Sequence, residues 1–398
     1  MWQKFKNYYH LLQALICSIY FQFPSKKMAV IGVTGTDGKT TTVNMIYHIL
    51  KSSGKNVSMI SSINAKIGRQ DYDTGFHIST PSSGQLQKYL KEAVDAKSEY
   101  FILEATSHGL DQNRLAFIDF KIGVLTNITH EHLDYHKNWG NYAFSKLKLL
   151  KNSKIKIVNL DDASFDLARK NIDGEILTYS KNKKADVNLK NVPVKLNIDG
   201  DYNLSNALAA SAAADSIGIP KQQILKALSN FKGVKGRLDR VDLGQNFKVY
   251  VDFAHTPNAL KNVLTTLKSK ALKGGRLIAV FGSAGARDTI KRPQMGKIAG
   301  EIADVIILTS EDPRSEDPQE ICEQIAKGIK SKIANKDYFI IVDRTQAINF
   351  AIDLAKDNDM VGLFGKGHER TMNIKGKEHP WDEVKTTQEA IKKRLKRE

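Results

Sequence analysis

The chain of 398 residues has only two cysteines, Cys17 and Cys322, which lie far apart and outside any Cys-x-x-Cys spacing. They provide neither a disulfide framework nor a cysteine-based zinc site, and a reducing cytoplasm fits this composition best. The apolar stretch 11–23 has no small-residue cleavage site of a signal peptide, and it is too short to span a bilayer. The sequence also has no internal repeat and no low-complexity segment.

Basic residues are abundant, but they do not follow a nucleic-acid-binding pattern. The formal net charge is +17, yet the lysines are spread along the chain and are concentrated only in the tail 392–397. No basic motif interleaved with aromatic residues for base stacking occurs. We therefore expect a Lys-rich, solvated surface that also suits small anionic substrates, and no nucleic-acid partner.

Residues 1–27 form a heavily aromatic segment, which Pro24 ends and Lys26 and Lys27 follow. Its large apolar side chains are those of Trp2, Phe5, Tyr8, Tyr9, Leu12, Leu15, Ile16, Ile19, Tyr20 and Phe23. Two interpretations stay open. The segment is either a helix packed on the rest of the protein or an interfacial helix at the inner face of a membrane.

From residue 28 onward, short apolar strands alternate with helical patterns, which is typical of an α/β fold with a mostly parallel sheet. The pattern predicts strands at 28–33, 57–60, 100–103, 122–125 and 155–158, and helices at 85–93, 204–217 and 221–231. After the break at 232–237, five strands alternate with four helices: strands 248–252, 276–281, 304–308, 339–342 and 360–364, helices 259–267, 293–302, 318–329 and 345–355. This second set predicts a Rossmann-like doubly wound domain.

The predicted organisation has three parts. Residues 1–27 form the N-terminal helix, residues 28–235 a central α/β domain, and residues 236–398 a C-terminal Rossmann-like α/β domain.

The segment 28–42 has the order strand, glycine loop, helix, with Gly35 and Gly38 in the loop. Backbone N–H groups in such a loop, together with the positive end of the next helix, bind nucleotide phosphates. We expect Lys39 to reach the terminal phosphates and the Thr40 hydroxyl to hold magnesium. The usual first glycine of this motif is replaced by Val33, but the Gly-Lys-Thr end is intact.

Two further strand ends carry polar residues. Glu104 follows the strand 100–103, and ligands in open α/β sheets lie beyond such strand ends, so its carboxylate can complete magnesium coordination with Thr40. The next strand runs into 126–136, which contains His130, His132 and His136. This cluster indicates a metal or phosphate site. For a zinc site, the sequence offers no second well-spaced group of ligands and no supporting cysteines.

In this order, these motifs resemble the Mur ligase family, and most closely its MurE-type branch, which adds the third amino acid to the peptidoglycan precursor peptide. The resemblance rests on segments 34–41, 104–110, 126–136, 203–207, 236–237, 252–257 and 365–369. It implies an ATP-dependent ligase that converts a muramyl-peptide carboxylate to an acyl phosphate, which the amine of an amino acid then attacks.

The resemblance implies that residues 28–235 are a P-loop-type ATPase domain and that residues 236–398 bind the amino acid. It also implies roles residue by residue. By resemblance, the residues for catalysis and for binding two magnesium ions are Lys39, Thr40, Glu104, His132 and Lys146. Lys146 matches the lysine that this family carbamylates. ATP contacts fall to Gly35, Thr36, Asp37, Gly38, Thr41, Asn203, Asn206, Arg237, Asp252 and Arg344. Substrate contacts fall to Ser79, Thr80, Ser107, Arg114, His255, Arg292, Asp312, Arg314, Gly365 and Glu369.

The chain departs from the family at the loop that selects the amino acid. Diaminopimelate-adding members carry Asp-Asn-Pro-Arg, whereas residues 311–314 here are Glu-Asp-Pro-Arg. Arg314 favours diaminopimelate, because a guanidinium binds its distal carboxylate bidentately. Asp312 instead favours a distal ammonium, such as that of lysine. Diaminopimelate is our prediction.

A second departure concerns the acceptor. MurE-type enzymes place a UDP-binding domain before the phosphate loop, and the 27 residues here are too few for such a domain. Three expectations follow. A partner replaces that domain, or the enzyme recognises only the sugar-peptide portion through 79–81, or the acceptor is a different one, such as a lipid-linked muropeptide.

Two other functions stay open. One is another ligase of the superfamily, similar to folylpolyglutamate synthase, MurT or cyanophycin synthetase; segments 108–110 and 365–369 favour the MurE-type branch over these. The other is a non-catalytic nucleotide-binding subunit that acts through a partner. The intact set of Lys39, Glu104, His132 and Lys146 argues against that function.

Overall fold

The computed structural model describes residues 2–73, 80–272 and 274–397. Its contacts divide the chain into two compact units, Met1–Lys232 and Gly233–Glu398. Within the described ranges, no helix combines the length and the apolarity needed to cross a membrane.

The first unit contains nine named helices and nine strands among its described residues. The helices are α1 (Trp2–Tyr20), α2 (Lys39–Ser52), α3 (Ser83–Asp95), α4 (Ser107–Asp111), α5 (Leu133–His136), α6 (Trp139–Lys151), α7 (Ser164–Asn171), α8 (Tyr202–Asp215) and α9 (Lys221–Ser229). The strands are β1 (Ala29–Thr34), β2 (Val57–Ile60), β3 (Asn64–Ile67), β4 (Gln70–Asp73), β5 (Tyr100–Glu104), β6 (Phe120–Leu125), β7 (Ser153–Asn159), β8 (Ile176–Ser180) and β9 (Val187–Asn188).

The nine strands form one sheet in the order β4-β3-β2-β5-β1-β6-β7-β8-β9. Strand β1 is central and pairs in parallel with β5 and β6. Among the described pairings of this sheet, only β2-β3 and β3-β4 are antiparallel. The mostly parallel sheet predicted from the sequence is confirmed, and its buried strands are continuous apolar runs, as parallel pairing requires.

The polar hairpin β3-β4 was not predicted, and neither were the short strands β8 and β9. Gly68 turns the hairpin at φ +59°. Its strands are four residues long and mix polar with apolar side chains, so hydrophobic periodicity gave no signal for them.

Helix α2 begins directly after the glycine loop and packs against α8. Almost the whole of α8 from Ala207 to Ala214 is buried. Small side chains let the two helix backbones approach each other closely, while alanine keeps high helix propensity. This packing fixes the end of α2 that faces the loop.

Helix α1 packs against α3. Ser18 on α1 is fully buried and accepts a hydrogen bond of 2.9 Å from Gln87. At the other end of α1, Asn7 donates to the Asp111 carbonyl at 3.1 Å. A 3₁₀ turn, Pro24–Lys27, then leads into β1. A helix packed on the protein was one of the two interpretations of this segment.

The second unit contains helices α10 (Pro257–Lys270), α11 (Lys291–Ile302), α12 (Pro318–Ala326), α13 (Arg344–Leu354) and α14 (Glu383–Leu395). Its strands are β10 (Asp239–Val241), β11 (Lys248–Asp252), β12 (Leu277–Phe281), β13 (Val305–Leu308), β14 (Tyr338–Ile340), β15 (Met360–Phe364), β16 (Thr371–Ile374) and β17 (Lys377–Pro380). The five predicted parallel strands and the four helices between them are all present. Strands β10, β16 and β17 and helix α14 were not predicted.

These strands form a sheet in the order β10-β11-β15-β12-β13-β14 and a separate hairpin β16-β17. Strand β10 alone is antiparallel in the described larger sheet. Its buried core includes Val251, Ile278, Leu363, Ile348 and Ile391. Because β11, β12, β13 and β15 run in parallel, the residues that follow them lie at one edge of the sheet.

Candidate active site

The glycine loop follows the central strand of the first unit. Gly35 and Gly38 adopt φ values of +151° and +84°. A Cβ atom on Gly35 would lie 1.8 Å from the Thr126 hydroxyl oxygen, and one on Gly38 would lie 2.3 Å from Asn206 Oδ1. Both positions therefore require glycine, for lack of space and, at Gly38, also for its left-handed backbone.

Residues at the end of β6 hold this loop in shape. The Thr36 amide donates to the Asn127 carbonyl at 2.9 Å, and the Asp37 amide donates to Asn127 Oδ1 at 3.0 Å. The Thr126 hydroxyl donates to the Asp37 carbonyl at 2.7 Å. The cradle is thus ordered by side chains about 90 residues away, so its shape exists before a ligand arrives.

Two lysines lie at this loop. Lys39 Nζ donates to the Thr36 carbonyl at 2.8 Å, and Lys146 Nζ donates to the Gly35 carbonyl at 2.6 Å. Lys146 is buried and lies 4.5 Å from the centre of the Tyr142 ring. Burial, reinforced by the Lys39 charge, holds the pKa of Lys146 well below its ordinary value of 10.5. Two lysine side chains therefore converge on the carbonyls of one short loop.

The predicted pair Thr40 and Glu104 lies together. The Thr40 hydroxyl donates to Glu104 Oε2 at 2.9 Å, and the Ser62 amide donates to the same oxygen at 2.9 Å. Glu104 ends β5 and is only 2% exposed. A carboxylate and a hydroxyl next to a phosphate loop are hard oxygen donors, which is the ligand type that magnesium prefers.

Thr80 connects the loop before α3 to this carboxylate strand. Its hydroxyl donates to the Glu104 carbonyl at 3.1 Å, and its own carbonyl accepts from Arg114 Nη1 at 2.6 Å. Burial lowers the pKa of Arg114. The hydroxyl of Ser107, at the start of α4, is buried without a hydrogen-bond partner among the described residues. Ser79 lies outside the described residues.

The predicted histidine His132 belongs to a cluster of rings. The His108 ring centre lies 4.8 Å from that of His132, 4.3 Å from Tyr135 and 5.5 Å from His136. His132 adopts a left-handed backbone, φ +55°, and is partly exposed. Burial lowers the pKa of His136 to about 4, so this ring is neutral at pH 7. In the described part of the chain, no three His, Cys, Asp or Glu side chains form a metal-holding group.

Helix α8 brings its two predicted asparagines to the other side of the loop. Asn206 Nδ2 donates to Asn203 Oδ1 at 3.1 Å, and Asn203 Nδ2 donates to the Asp199 carbonyl at 2.6 Å. Asn206 lies beside Gly38. The loop 35–41, Glu104, Lys146 and Asn206 are therefore one contiguous set, connected by these contacts.

In the second unit, Asp252 at the end of β11 organises the backbone. Its two oxygens accept from the amides of Leu238 and Ala254, each at 2.7 Å. Arg237 stacks on the Phe253 ring at 4.6 Å. His255 Nδ1 lies 2.9 Å from the Phe253 carbonyl oxygen. Burial lowers the pKa of His255 to about 3, and the charge of Lys291 has the next largest effect.

A buried charge cluster follows β13 and β15 at the same sheet edge. Lys366 Nζ donates to Asp312 Oδ1 at 2.9 Å and to Glu369 Oε2 at 2.6 Å. Burial alone would lower the pKa of Lys366, but the charges of Glu369 and Asp312 outweigh it and raise this pKa. Burial raises the pKa of the neighbouring Glu311 to about 7. Gly365 has φ +103° and leaves room for the Glu311 side chain, because a Cβ atom added at Gly365 would lie only 2.5 Å from Glu311 Oε2.

Three predicted arginines differ in their surroundings. Arg292 is fully buried and pairs with Glu316 at 2.7 Å, and Arg344 is equally buried and pairs with Glu383. These two guanidinium groups are occupied within the fold. Arg314 is half-buried, and its side chain makes no hydrogen bond or ion pair with the described residues.

Sequence reasoning missed the residues that shape the loop, namely Ser62, Thr126, Asn127 and Tyr142. Tyr142 shares a hydrogen bond of 2.9 Å with the Thr36 hydroxyl. The signal for Thr126 and Asn127 was present, because they follow a predicted strand next to the loop strand. Ser62 and Tyr142 are common residue types, and nothing in their local sequence marks them.

Comparisons with known proteins agree with these two units. The model of the Mur ligase middle domain matches residues 33–214, and the model of the Mur ligase glutamate ligase domain matches residues 236–367. A UDP-N-acetylmuramoyl-L-alanyl-D-glutamate–2,6-diaminopimelate ligase of Clostridium botulinum is 37% identical over 399 aligned positions, which cover 95% of this chain and 81% of that relative.

Solved structures agree with this result. The structure of a UDP-N-acetylmuramoyl-L-alanyl-D-glutamate–2,6-diaminopimelate ligase matches this one with a TM-score of 0.61 and 32% sequence identity. The match covers 92% of this chain and 79% of the chain in that structure. A folylpolyglutamate synthase of Mycobacterium tuberculosis reaches a TM-score of 0.70 at only 14% identity, covering 89% of this chain and 91% of its own, and so shares the fold alone. Since both units match, the chain belongs to the Mur ligase family, whose members are ATP-dependent ligases that form C–N bonds, and its relatives at this identity are MurE-type enzymes.

Proposed function

We propose that this protein joins 2,6-diaminopimelate to the terminal carboxylate of a muramyl peptide at the expense of ATP. The observation that carries the proposal is the preformed set of the glycine loop, Lys39, Thr40, Glu104 and Lys146 in the first unit. Its relative of 37% identity is named for the same reaction on UDP-N-acetylmuramoyl-L-alanyl-D-glutamate.

The chemistry has two balanced steps. ATP, when bound, supplies the phosphoryl group that turns the acceptor carboxylate into an acyl phosphate and leaves as ADP. The neutral amine then attacks the acyl carbon, the C–O bond to phosphate breaks, phosphate leaves, and the nitrogen loses one proton as the amide forms. Lys39 offsets the repulsion between the carboxylate and the triphosphate, which is the main electrostatic obstacle of the first step.

We assign Thr40 and Glu104 to one magnesium ion. Magnesium uses one or two protein oxygens together with phosphate oxygens and water, and these two side chains offer a hydroxyl and a carboxylate 2.9 Å apart. His132 is assigned to a second ion, with Lys146 as its anionic neighbour after carbamylation. In that modification the neutral amine of Lys146 bonds to the carbon of CO₂ and releases one proton. Its burial and the lack of a carboxylate partner among the described residues support the neutral amine that this step needs.

Diaminopimelate is favoured over lysine by the surroundings of Asp312 and Arg314. Asp312 already pairs with Lys366, so its charge is compensated within the fold. The Arg314 guanidinium has no such partner in the described part of the chain, and it suits a distal carboxylate. Arg314→Gln should therefore raise KM for diaminopimelate about tenfold or more, while leaving KM for ATP unchanged.

Phosphate release from ATP tests the proposal. We expect release to require both UDP-N-acetylmuramoyl-L-alanyl-D-glutamate, or its lipid-linked counterpart, and diaminopimelate, and mass spectrometry should detect the amide product. Lys39→Ala should abolish the release, whereas Lys51→Ala, an exposed change on the same helix, should not. Release that continues without the acceptor or without the amino acid would refute the ligase assignment. If a product forms only with the lipid-linked acceptor, the acceptor of this enzyme is lipid-linked and not UDP-linked.

A further inference from the structure

Helix α1 exposes several large apolar side chains. Tyr8, Tyr9, Leu12, Ile16, Ile19 and Tyr20 are between 57% and 78% exposed. On a helix of 3.6 residues per turn, all six fall within an arc of about 120°. The outward face of α1 is therefore a continuous apolar strip, which we call the α1 strip.

The opposite face of the helix is anchored by polar contacts. Buried Ser18 accepts from Gln87 at 2.9 Å, and Asn113 Nδ2 donates to the Asn7 carbonyl at 3.3 Å. Helices on protein surfaces usually place their apolar side inward. Here both orientation and exposure are fixed by the fold, so the α1 strip is held outward and is not buried by the described residues.

The charged residues of the segment that carries the strip have one sign. No acidic residue occurs before Asp37, and Lys6, Lys26 and Lys27 are exposed. Lys26 lies over the Phe23 ring at 4.9 Å, next to the C-terminal end of α1. A second copy of this face would bring like charges together, whereas an anionic surface would meet complementary charge.

The order of side chains along the strip also points to a lipid surface. Tyrosines lie towards its two ends, and Leu12, Ile16 and Ile19 lie between them. Tyrosine rings prefer the headgroup region, aliphatic side chains enter the acyl boundary, and lysines pair with anionic headgroups.

We propose that the α1 strip docks this protein onto an anionic phospholipid surface, with α1 lying in the plane of the interface. The helix remains packed on α3 in this state, since its anchoring face is opposite to the strip. The enzyme is thereby placed at the membrane surface.

The test is sedimentation of the full chain with vesicles of phosphatidylglycerol and phosphatidylcholine, and with vesicles of phosphatidylcholine alone. The variant Leu12→Gln/Ile16→Gln/Ile19→Gln should bind the anionic vesicles about tenfold more weakly or worse. Lys26→Ala/Lys27→Ala should weaken binding about tenfold as well. Both variants should have the circular dichroism of the wild type and its ligase activity on a soluble acceptor.

A matched control uses three apolar residues of similar exposure in the second unit, Leu272→Gln/Ile290→Gln/Ile333→Gln, and it should bind like the wild type. Four results would overturn the proposal. The wild type does not sediment with anionic vesicles, or the α1 variant binds as well as the wild type, or the α1 substitutions convert a dimer to a monomer in light scattering without any vesicle binding. Equal binding to neutral and anionic vesicles would remove the charge argument and overturn it too.

Discussion

Two buried lysines, one in each unit, have opposite chemistry. Lys146 and Lys366 are 1% and 0% exposed, respectively. Lys146 donates to a backbone carbonyl and faces an aromatic ring, and its pKa is lowered by burial and by Lys39. Lys366 donates to Asp312 and Glu369, whose charges overcome the effect of burial and raise its pKa.

The difference shows that burial alone does not decide what a lysine does. Both ammonium groups lose water, but only Lys366 regains opposite charge. The surroundings of Lys146 therefore favour its neutral amine more than those of an ordinary lysine, whereas Lys366 is a cation that holds two loops of the second unit together. Removing each side chain should therefore damage a different property.

Replacing the paired lysine should have the largest effect. Lys366→Met leaves Asp312 and Glu369 buried beside an apolar side chain, so the free energy of unfolding should fall by about 3–5 kcal/mol. Urea denaturation of the full chain measures it. The triple variant Lys366→Met/Asp312→Asn/Glu369→Gln removes the stranded charges and should recover much of the loss. A triple variant no more stable than Lys366→Met would show that the pair is not what stabilises this edge.

Replacing the unpaired lysine should affect activity and not stability. Lys146→Met should lower kcat by about a hundredfold to a thousandfold, because it removes the group that we propose as the neighbour of the second magnesium ion. The free energy of unfolding should stay equal or rise, since an uncompensated buried amine is replaced by an apolar side chain. Lys148→Met on the same helix is the control. A clear loss of stability in Lys146→Met alone would contradict the contrast.

The pH dependence of stability should separate the two lysines more finely. The pKa of Lys146 is lower in the folded state, so the unfolded chain binds more protons, and the stability of the wild type relative to Lys146→Met should rise as pH approaches 10.5. The slope is at most about 1.4 kcal/mol per pH unit. The contribution of Lys366, whose pKa is raised, should stay constant below 10.5 and decline only above it. Urea unfolding in CO₂-free buffer, between about pH 7 and about pH 10, measures the expected rise for Lys146 and the expected constant contribution of Lys366. Parallel pH profiles for the two variants would refute this difference.

An exposed lysine provides the smallest effect and a baseline. Lys55 pairs with Glu99 at 3.3 Å, with both side chains well exposed. Lys55→Met should change the free energy of unfolding by less than about 1 kcal/mol, because water and salt screen this pair. The same urea assay checks it, and a larger loss would mean that partner charge matters even without burial.

The sequence predicted the parts of the site that depend on local patterns. Loop 35–41 between a strand and a helix is such a pattern, and the meeting of Thr40 with Glu104 follows from parallel strands ending at one edge. Contacts between distant, ordinary residues were not predictable. Tyr142 beneath Lys146 and Ser62 beside Glu104 owe their positions to the strand order β2-β5-β1-β6 and to the packing of α6, which no local motif encodes.

The second unit shows the same limit for charges. The parallel strands and helices were predictable from apolar alternation, but the partners of its arginines were not. The resemblance gave Arg292 and Arg344 as ligand contacts, and the structure places both in internal ion pairs with Glu316 and Glu383. Residue type signals charge, whereas the partner that neutralises it is set by tertiary packing.

Lys146 has no carboxylate partner among the described residues, and carbon NMR of the full chain equilibrated with ¹³C-bicarbonate measures whether its amine is reactive. A carbamate resonance should appear in the wild type and in Lys148→Met, and it should be lost in Lys146→Met. Its absence from the wild type, or its persistence in Lys146→Met, would contradict the account.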